Sequence, residues 1–456
     1  MTLADKDFLR GRSAMALRDG ETPAFCAHDR LVPLLDILNG VSIDADPASL
    51  AGRSVLVRTR EQLAAALALV DLDGVASRMV LCPPDFDPTH LNHVIAEAAI
   101  DLVVSDDETL AVEGVPFARI GTPRPAKTPA AEYATEWVMF TSGTTGRPKM
   151  VAHTLAGLTG AIRPHADEQP VVWGTFYDIR RYGGLQILLR ALIGGATMIF
   201  SRAGEAPASA LSRLAQYGVS HLSGTPSHWR RALICPALVA LSPRYVRLSG
   251  EIADQAVLDS LKAVFPDASV GHAYASTEAG VGFEVTDGRE GFPASYLAAS
   301  LNDVDMRVVD GALQLRSRRV ATHYIGGGVV ADTDGFVDTG DMVERRGDRF
   351  HFVGRRGGVI NVGGLKVHPE EIEAVINRQP GVRLSRVAGR RNPITGAVVT
   401  ADIVLEDATA SPDAVKAQVL AACRRDLAPH KTPAVVRVVL ALAMTDAGKL
   451  MRADAR

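Results

Sequence analysis

The sequence predicts an α/β protein with a large N-terminal domain of mostly parallel sheets covered by helices, followed by a small α+β C-terminal domain. Three observations carry that expectation. Between about 136 and 274, helix-length stretches with apolar residues three and four apart alternate with short apolar strands, the pattern of a parallel sheet covered on both faces. A polar, glycine-rich joint of Arg355, Arg356, Gly357 and Gly358 precedes about a hundred residues of different texture, an ordinary size for a small domain. The 456 residues are 47% hydrophobic and 22% charged, enough to bury a sizeable core and to exclude global disorder.

Up to about 128, short apolar strands at 54–57 and 102–104 alternate with alanine-rich helical stretches in which no chemistry is legible. Residues 121–128, with Pro123 and Pro125 and a following Pro129, read as an extended connector, because proline removes donors and disfavours helix. A strand at 137–140 then enters a glycine and threonine loop, after which a helical stretch is expected at 153–162. Leu185, Leu188, Leu189 and Leu192 mark a helix by their i, i+3, i+4, i+7 spacing, and a strand at 197–200 follows it. A helix at 207–217, opened by Pro207, leads to a strand at 219–222, and a helix at 254–265 leads to one at 270–274. Pro369, Glu370 and Glu371 open the first helix of the small domain, with acids in the first turn as the macrodipole favours. The domain boundary is placed between 355 and 356, giving domains 1–355 and 356–456.

Composition narrows the function. Lys+Arg number 49 and Asp+Glu 52, a net charge of −3 without a basic run, so a nucleic-acid partner is not expected. Cys26, Cys82, Cys235 and Cys423 lack paired spacing, which favours buried, reduced thiols over a zinc site or a disulfide framework. Asp5, Lys6, Asp7, Arg10 and Arg12 stand where a secretory leader would be apolar, and Asp71, Asp73 and Arg190 interrupt the best apolar runs. A cytoplasmic protein without a membrane partner is therefore expected.

The loop Thr141-Ser142-Gly143-Thr144-Thr145-Gly146-Arg147-Pro148-Lys149 suits phosphates. Its glycines let main-chain N–H groups approach an anion, its hydroxyls add donors and Lys149 adds charge. It lacks the Gly-Lys-Ser/Thr ending of a Walker A loop, and a polar surface turn is the alternative.

This loop resembles the phosphate loop of the adenylate-forming superfamily of acyl-CoA synthetases, peptide-synthetase adenylation domains and luciferases. Other motifs similar to that superfamily's follow in order. They are Tyr274-Ala275-Ser276-Thr277-Glu278, with alanine where the family has glycine; Asp338-Thr339-Gly340-Asp341; Gly354-Arg355; Gly363-Gly364-Leu365-Lys366-Val367 with Pro369-Glu370-Glu371-Ile372-Glu373; and Thr445-Asp446-Ala447-Gly448-Lys449-Leu450. The likeness runs from about 136 to 452.

The resemblance implies that a carboxylic acid attacks the α-phosphorus of ATP, giving an acyl-adenylate and pyrophosphate, and that the acyl group then passes to CoA with release of AMP. It implies ATP, Mg2+ and CoA as cofactors. Lys449 would neutralise charge on the acid and α-phosphate, and Thr144 and Glu278 would stand at the magnesium. Thr141, Ser142, Gly143, Thr145, Gly146, Lys149, Ser249, Gly250, Glu251, Ala273, Tyr274, Ala275, Ser276, Thr277, Asp341 and Arg355 would bind ATP, with Asp341 on the ribose hydroxyls. The small domain would be mobile, rotating so that Gly363, Gly364 and Lys366 line a path for the CoA thiol. The matching hinge position is Gly357 where relatives carry an acid or lysine, and glycine permits a large φ/ψ change.

The acid pocket is expected to include Arg180, Tyr182, Gly183 and His228. Arg180 falls where many acyl-CoA synthetases have histidine or an aromatic residue; it either grips a polar group of the acid, or it and Arg181 pair with Asp178 or lie at the surface. His153, His228 and His272 lie within reach of the site in this reading, with a structural histidine as the alternative for each. Ser249-Gly250-Glu251 resembles the version found in acetyl- and benzoyl-CoA synthetases and points to a short or aryl acid. Two other readings stand beside the acid–CoA ligase: a stand-alone adenylation enzyme loading an acyl or peptidyl carrier protein, and a non-catalytic nucleotide-binding relative.

Overall fold

The computed structural model of the protein describes residues 8–18, 20–27, 30–126, 132–141, 148–163, 169–202, 204–298, 300–392, 396–407, 411–445 and 450–451. Two eight-stranded sheets dominate the large domain. In one, Ala24–Ala27, Thr197–Ile199, Val172–Thr175, His221–Gly224, Tyr245–Ser249 and Ser269–Ser276 run parallel, with Arg30–Pro33 and Gly280–Val285 as antiparallel edges. In the other, Glu136–Thr141, Arg78–Leu81, Ser54–Val57, Leu102–Ser105 and Phe117–Pro125 are parallel neighbours.

Helices Gln62–Leu72 and Tyr182–Ile193 lie between these sheets in the largest core cluster, beside Phe25, Val55, Met79, Trp137 and Trp173. All eleven residues of Gln62–Leu72 are buried, as a helix apolar on every side requires. Pro207–Gln216, Pro226–Leu233 and Gln255–Val264 cover the opposite face of the first sheet through Leu211, Trp229 and Leu261. The α/β units read from periodicity are thus present, with ends shifted by one to three residues.

A third sheet is antiparallel and five-stranded: Phe292–Pro293, Arg349–Arg355, Val337–Arg346, Ala312–Ser317 and Val304–Val309. The expectation of mostly parallel sheets missed it, because half-buried hairpins lack the continuous apolar runs of buried parallel strands. Beyond it, the small domain sets Pro369–Asn377 and Pro412–Asp426 on the strands Val382–Asn392, Gly396–Leu405 and Val435–Val438. Its own core includes Val367, Ile372, Ile376, Val399, Ile403, Val419 and Cys423.

Two local expectations are corrected. His153 ends the strand Lys149–His153, and of the stretch 153–162 expected to be helical only Leu155–Thr159 is, capped where Thr154 Oγ1 accepts the Gly157 N–H at 3.0 Å. Antiparallel pairing of Trp137 with His153 and of Met139 with Val151 holds this segment in the sheet. Gly121 to Pro125 is not a free connector but the end of a strand paired with Gly40–Ile43. Among the described residues no helix is long and apolar enough to cross a membrane.

Candidate active site

The strands His221–Gly224, Tyr245–Ser249 and Ser269–Ser276 are parallel neighbours whose carboxyl ends lie side by side, the edge at which open parallel sheets hold ligands. The third of them supplies Tyr274, whose ring is stacked between Phe283 at 5.6 Å and Phe352 at 5.0 Å. Its hydroxyl donates to Asp341 Oδ2 at 2.5 Å, and Arg355 Nε donates to Asp341 Oδ1 at 2.8 Å. Burial, and then the carboxylate, push the Tyr274 pKa well up, so the phenol stays a donor. Asp341 foremost raises the Arg355 pKa.

Asp341 lies within the strand Val337–Arg346, beside an irregularity in its pairing with Ala312–Ser317. Gly340 has φ +68°, its N–H bonds Asp338 Oδ1, and the Asp341 N–H bonds Thr339 Oγ1 at 3.1 Å. A carboxylate has about four acceptor lone pairs, so the bonds from Tyr274 and Arg355 leave acceptor capacity for two further hydroxyls. Tyr274, 67 residues upstream, and Arg355, across the hairpin 14 residues on, therefore converge on one acid.

Glu278 follows the end of the same strand, and its carbonyl accepts the Ala321 N–H at 2.9 Å. Its carboxylate acts electrostatically on Tyr324 and Arg355. Lys149 Nζ lies 5.3 Å from the centre of the Tyr324 ring, so a cation and an anion share this corner. Thr141 pairs with Lys149 across two antiparallel strands, so the chain that follows the phosphate-binding candidate enters a strand and not the expected helix. Its Ser142, Gly143, Thr144, Thr145 and Gly146 lie outside the described residues, as does Lys449. Among the described residues no group of three or more His, Cys, Asp or Glu gathers as a metal cage. A Mg2+ ion needs no such cage, since it is commonly held by one or two carboxylates plus phosphate oxygens.

On the acid side, Tyr177 donates to the Ser249 carbonyl at 2.7 Å, and Gly250 turns the chain with φ +84°. Tyr182 is buried, with its pKa raised by that burial. A side chain at Gly183 would meet the Tyr177 ring at ordinary contact distance, 3.7 Å. The neighbouring Gly184 allows no side chain, because a Cβ would penetrate the Asp178 carbonyl. His228 lies between Phe176 and Tyr177 at 5.6 and 5.8 Å, and its Nδ1 accepts the Thr225 N–H at 3.1 Å in a capping box. Burial, then Arg231, push its pKa down to about 3, so it is a neutral cap at the wall. His153 is buried against Tyr182 with its pKa lowered by burial to about 4, and His272 bonds the Arg289 carbonyl at 3.0 Å.

Arg180 does not present a free guanidinium to the acid. Its Nε and Nη2 grip Asp178 at 2.8 and 2.5 Å, while Nη1 bonds the carbonyls of Thr59 and Arg60. It fastens its loop to the second sheet, and Arg181 pairs with Asp85. The pairing alternative therefore describes this pair, with Asp85 as the partner of Arg181.

Deeper along the same face of the first sheet lies a polar group that sequence reading missed. Arg247 Nη1 meets Glu284 Oε2 at 2.8 Å, Tyr245 donates to the other oxygen, and the buried Arg190 bonds Gln186 at 3.1 Å. Burial works to lower the Arg247 pKa, yet Glu284 and Tyr245 keep it raised; burial, then Arg247, bring Arg190 down to about 10. The signal was the alternation of Tyr245, Arg247 and Ser249 against buried Val246 and Leu248.

Gly363 and Gly364 form the tip of the hairpin Ile360–Val362 and Leu365–Val367, with φ +60° and +85°. They and Lys366 are exposed. Leu450 instead reaches the large domain, its N–H bonding Glu251 Oε1 at 3.2 Å.

Asp341 clamped between Tyr274 and Arg355, and Lys149 and Glu278 both acting at Tyr324, are carried by the motifs that resemble those of the adenylate-forming superfamily. The family model of AMP-binding enzymes matches residues 55–324, and that of the AMP-binding enzyme C-terminal domain matches 371–449. The chain belongs to the AMP-binding enzyme family and is an AMP-forming acid–CoA ligase. It is 25% identical to a 4-coumarate–CoA ligase-like protein of Oryza sativa subsp. japonica over 97% of this chain and 81% of that one. A 2-succinylbenzoate–CoA ligase of Listeria monocytogenes is 27% identical, over 69% of this chain and 68% of its own. The anthranilate CoA ligase AuaEII, solved with anthranoyl-AMP, shares the fold with a TM-score of 0.81 at 17% identity, over 97% of this chain and 95% of that one.

Proposed function

We propose that this chain activates a compact carboxylic acid, short or aryl, with ATP in a large domain of residues 1–355, and transfers the acyl group to CoA after the domain 356–456 turns about Gly357. The observation that carries this reading is the clamping of Asp341 between Tyr274 and Arg355. Asp341 would take the ribose hydroxyls, and the chain at Ser249, Gly250, Ala273, Ala275, Ser276 and Thr277 would form the floor under the nucleotide. A Mg2+ ion at Glu278 and Thr144 would offset charge on the phosphates. The glycine and threonine loop and Lys149 would hold those phosphates, and Lys449 would offset the charge where the acid oxygen meets the α-phosphorus. A carboxylate oxygen attacks that phosphorus and pyrophosphate leaves. The CoA sulfur then attacks the acyl carbon, the thiol proton is lost and AMP leaves.

Two features support a compact acid. Tyr245, Arg247, Glu284 and Arg190 place charge along the face where a long fatty chain would need apolar walls. The 2-succinylbenzoate and anthranilate ligases it resembles act on aryl acids. Four free cysteines accord with a reducing cytoplasm as the place of action. Acid-dependent exchange of labelled pyrophosphate into ATP tests the reading, run over short, aryl, dicarboxylic and long-chain acids and repeated with CoA and with a carrier protein. Exchange with compact acids and thioester formation on CoA are expected. A preference for long-chain acids would overturn the acid class, and thioester only on the carrier would overturn the CoA assignment.

A further inference from the structure

We infer that Glu251 is a positioning residue: it docks the C-terminal segment onto the large domain for the adenylation step, through the main-chain amide of Leu450. The inference rests on the adenylating function proposed above and assigns Glu251 a task beyond nucleotide contact.

Both carboxylate oxygens are engaged, and by different domains. Oε2 accepts the Ser227 N–H at 2.9 Å, and Oε1 accepts the Leu450 N–H at 3.2 Å across 199 residues of sequence. Ser227 is the second residue of the helix Pro226–Leu233, whose Pro226 has no N–H, so its amide is an early orphan donor facing an acid. Glu251 also acts electrostatically on Arg231, one turn further on in the same helix. Gly250, at φ +84°, makes the turn that takes the chain from the strand Tyr245–Ser249 into Glu251.

The other end of the bond is braced as well. Leu450 forms an antiparallel bridge with Met444, and the Met451 N–H bonds the Ala443 carbonyl at 3.0 Å. The carboxylate therefore joins a helix N-terminus of the large domain to a short β-ladder of the small one. Leu450 directly follows Lys449 in sequence, so the docked amide fixes the chain next to the residue that the first half-reaction needs. Gly363, Gly364 and Lys366 are exposed in the same arrangement. Turning them toward the strand ends of the large domain for the thiol step would separate Leu450 from Glu251.

The two half-reactions should therefore respond differently. Glu251→Ala is expected to lower the maximal rate of pyrophosphate exchange about ten- to a hundredfold, the range for loss of a charged hydrogen-bonding partner. KM for ATP should change less than threefold, and thioester formation from supplied acyl-adenylate should be unchanged or faster. Glu251→Gln retains one acceptor oxygen and should recover part of the rate. Leu450→Pro removes the donor from the other side, and combined with Glu251→Ala it should cost little more than either change alone. Equal loss in both half-reactions, a rise in KM for ATP without a fall in maximal rate, or full additivity of the two substitutions would each overturn the docking role. Failure of the unsubstituted enzyme to exchange pyrophosphate with any acid would instead bring down the adenylating function, and this inference with it.

Discussion

Asp341 shows how much one side chain contributes once its neighbours are fixed. Tyr274 and Arg355 hold its two oxygens in a set orientation, so its remaining acceptors face outward without further ordering. Asp341→Asn should weaken ATP binding about tenfold or more, and Tyr274→Phe less, about fivefold, in line with charged and neutral hydrogen bonds. Calorimetric titration with a non-hydrolysable ATP analogue checks both, and equal affinities in all three proteins would refute the ribose assignment. The buried histidines make a pH prediction. His153 and His228 are pushed down to about 4 and about 3, so below about 6.5 the unfolded chain takes up protons that the native state does not. Stability is thus lost as pH falls from about 6.5 to 4, by roughly 3 kcal/mol at most for His153. Asp73, raised to about 6 by burial, acts in the opposite sense, its contribution fading as pH rises from about 4 to 6. Melting temperatures of the native chain and His153→Gln between pH 7 and 4.5 decide the matter: the variant should show the shallower decline.

The segment Arg356–Gly358 is the hinge in the proposed two-step reaction. A Cβ at Gly357 would meet nothing within 4 Å, and Gly357 is not among the glycines with positive φ. Gly357→Ala should therefore leave both half-reactions near normal. Gly357→Pro fixes φ near roughly −65° and should preserve pyrophosphate exchange while reducing overall ligation by about tenfold or more. Unchanged ligation in Gly357→Pro would move the hinge elsewhere. Gly354 has no such freedom, since its φ is +137° and a side chain would strike Glu370 and His368 of the small domain.

Across the whole molecule, the small domain has its own core and a thin seam with the large one. The seam includes the Glu251–Leu450 bond, a 3.7 Å approach of Arg378 to Glu290, and a cavity of about 160 Å³ lined by Arg230, Arg231, Arg383 and Leu442. A seam so incompletely packed should let the domains melt in separate steps. Ile403→Ala, in the small-domain core, and Leu188→Ala, between the large sheets, each remove a fully buried side chain at a cost of about 2–5 kcal/mol. In scanning calorimetry of the full chain each should lower a different transition. A single transition moved by both would show that the two domains unfold as one.

The sequence by itself determined the α/β units, and it carries in order the motifs around Glu278, Asp341 and Lys449 and the glycine-rich joint at 355–358. These are local properties: helical period, turn chemistry and short ordered motifs are written within a dozen residues. It could not say where Arg180 points, because the carbonyls of Thr59 and Arg60 that hold it come from a segment about 120 residues away. The same holds for the antiparallel third sheet, for the charged group at Arg247 and Glu284, and for the bond between Glu251 and Leu450. Each is a meeting of segments remote in sequence. Only the tertiary structure decided them, since burial and pairing depend on which faces the packed sheets and domains bring together.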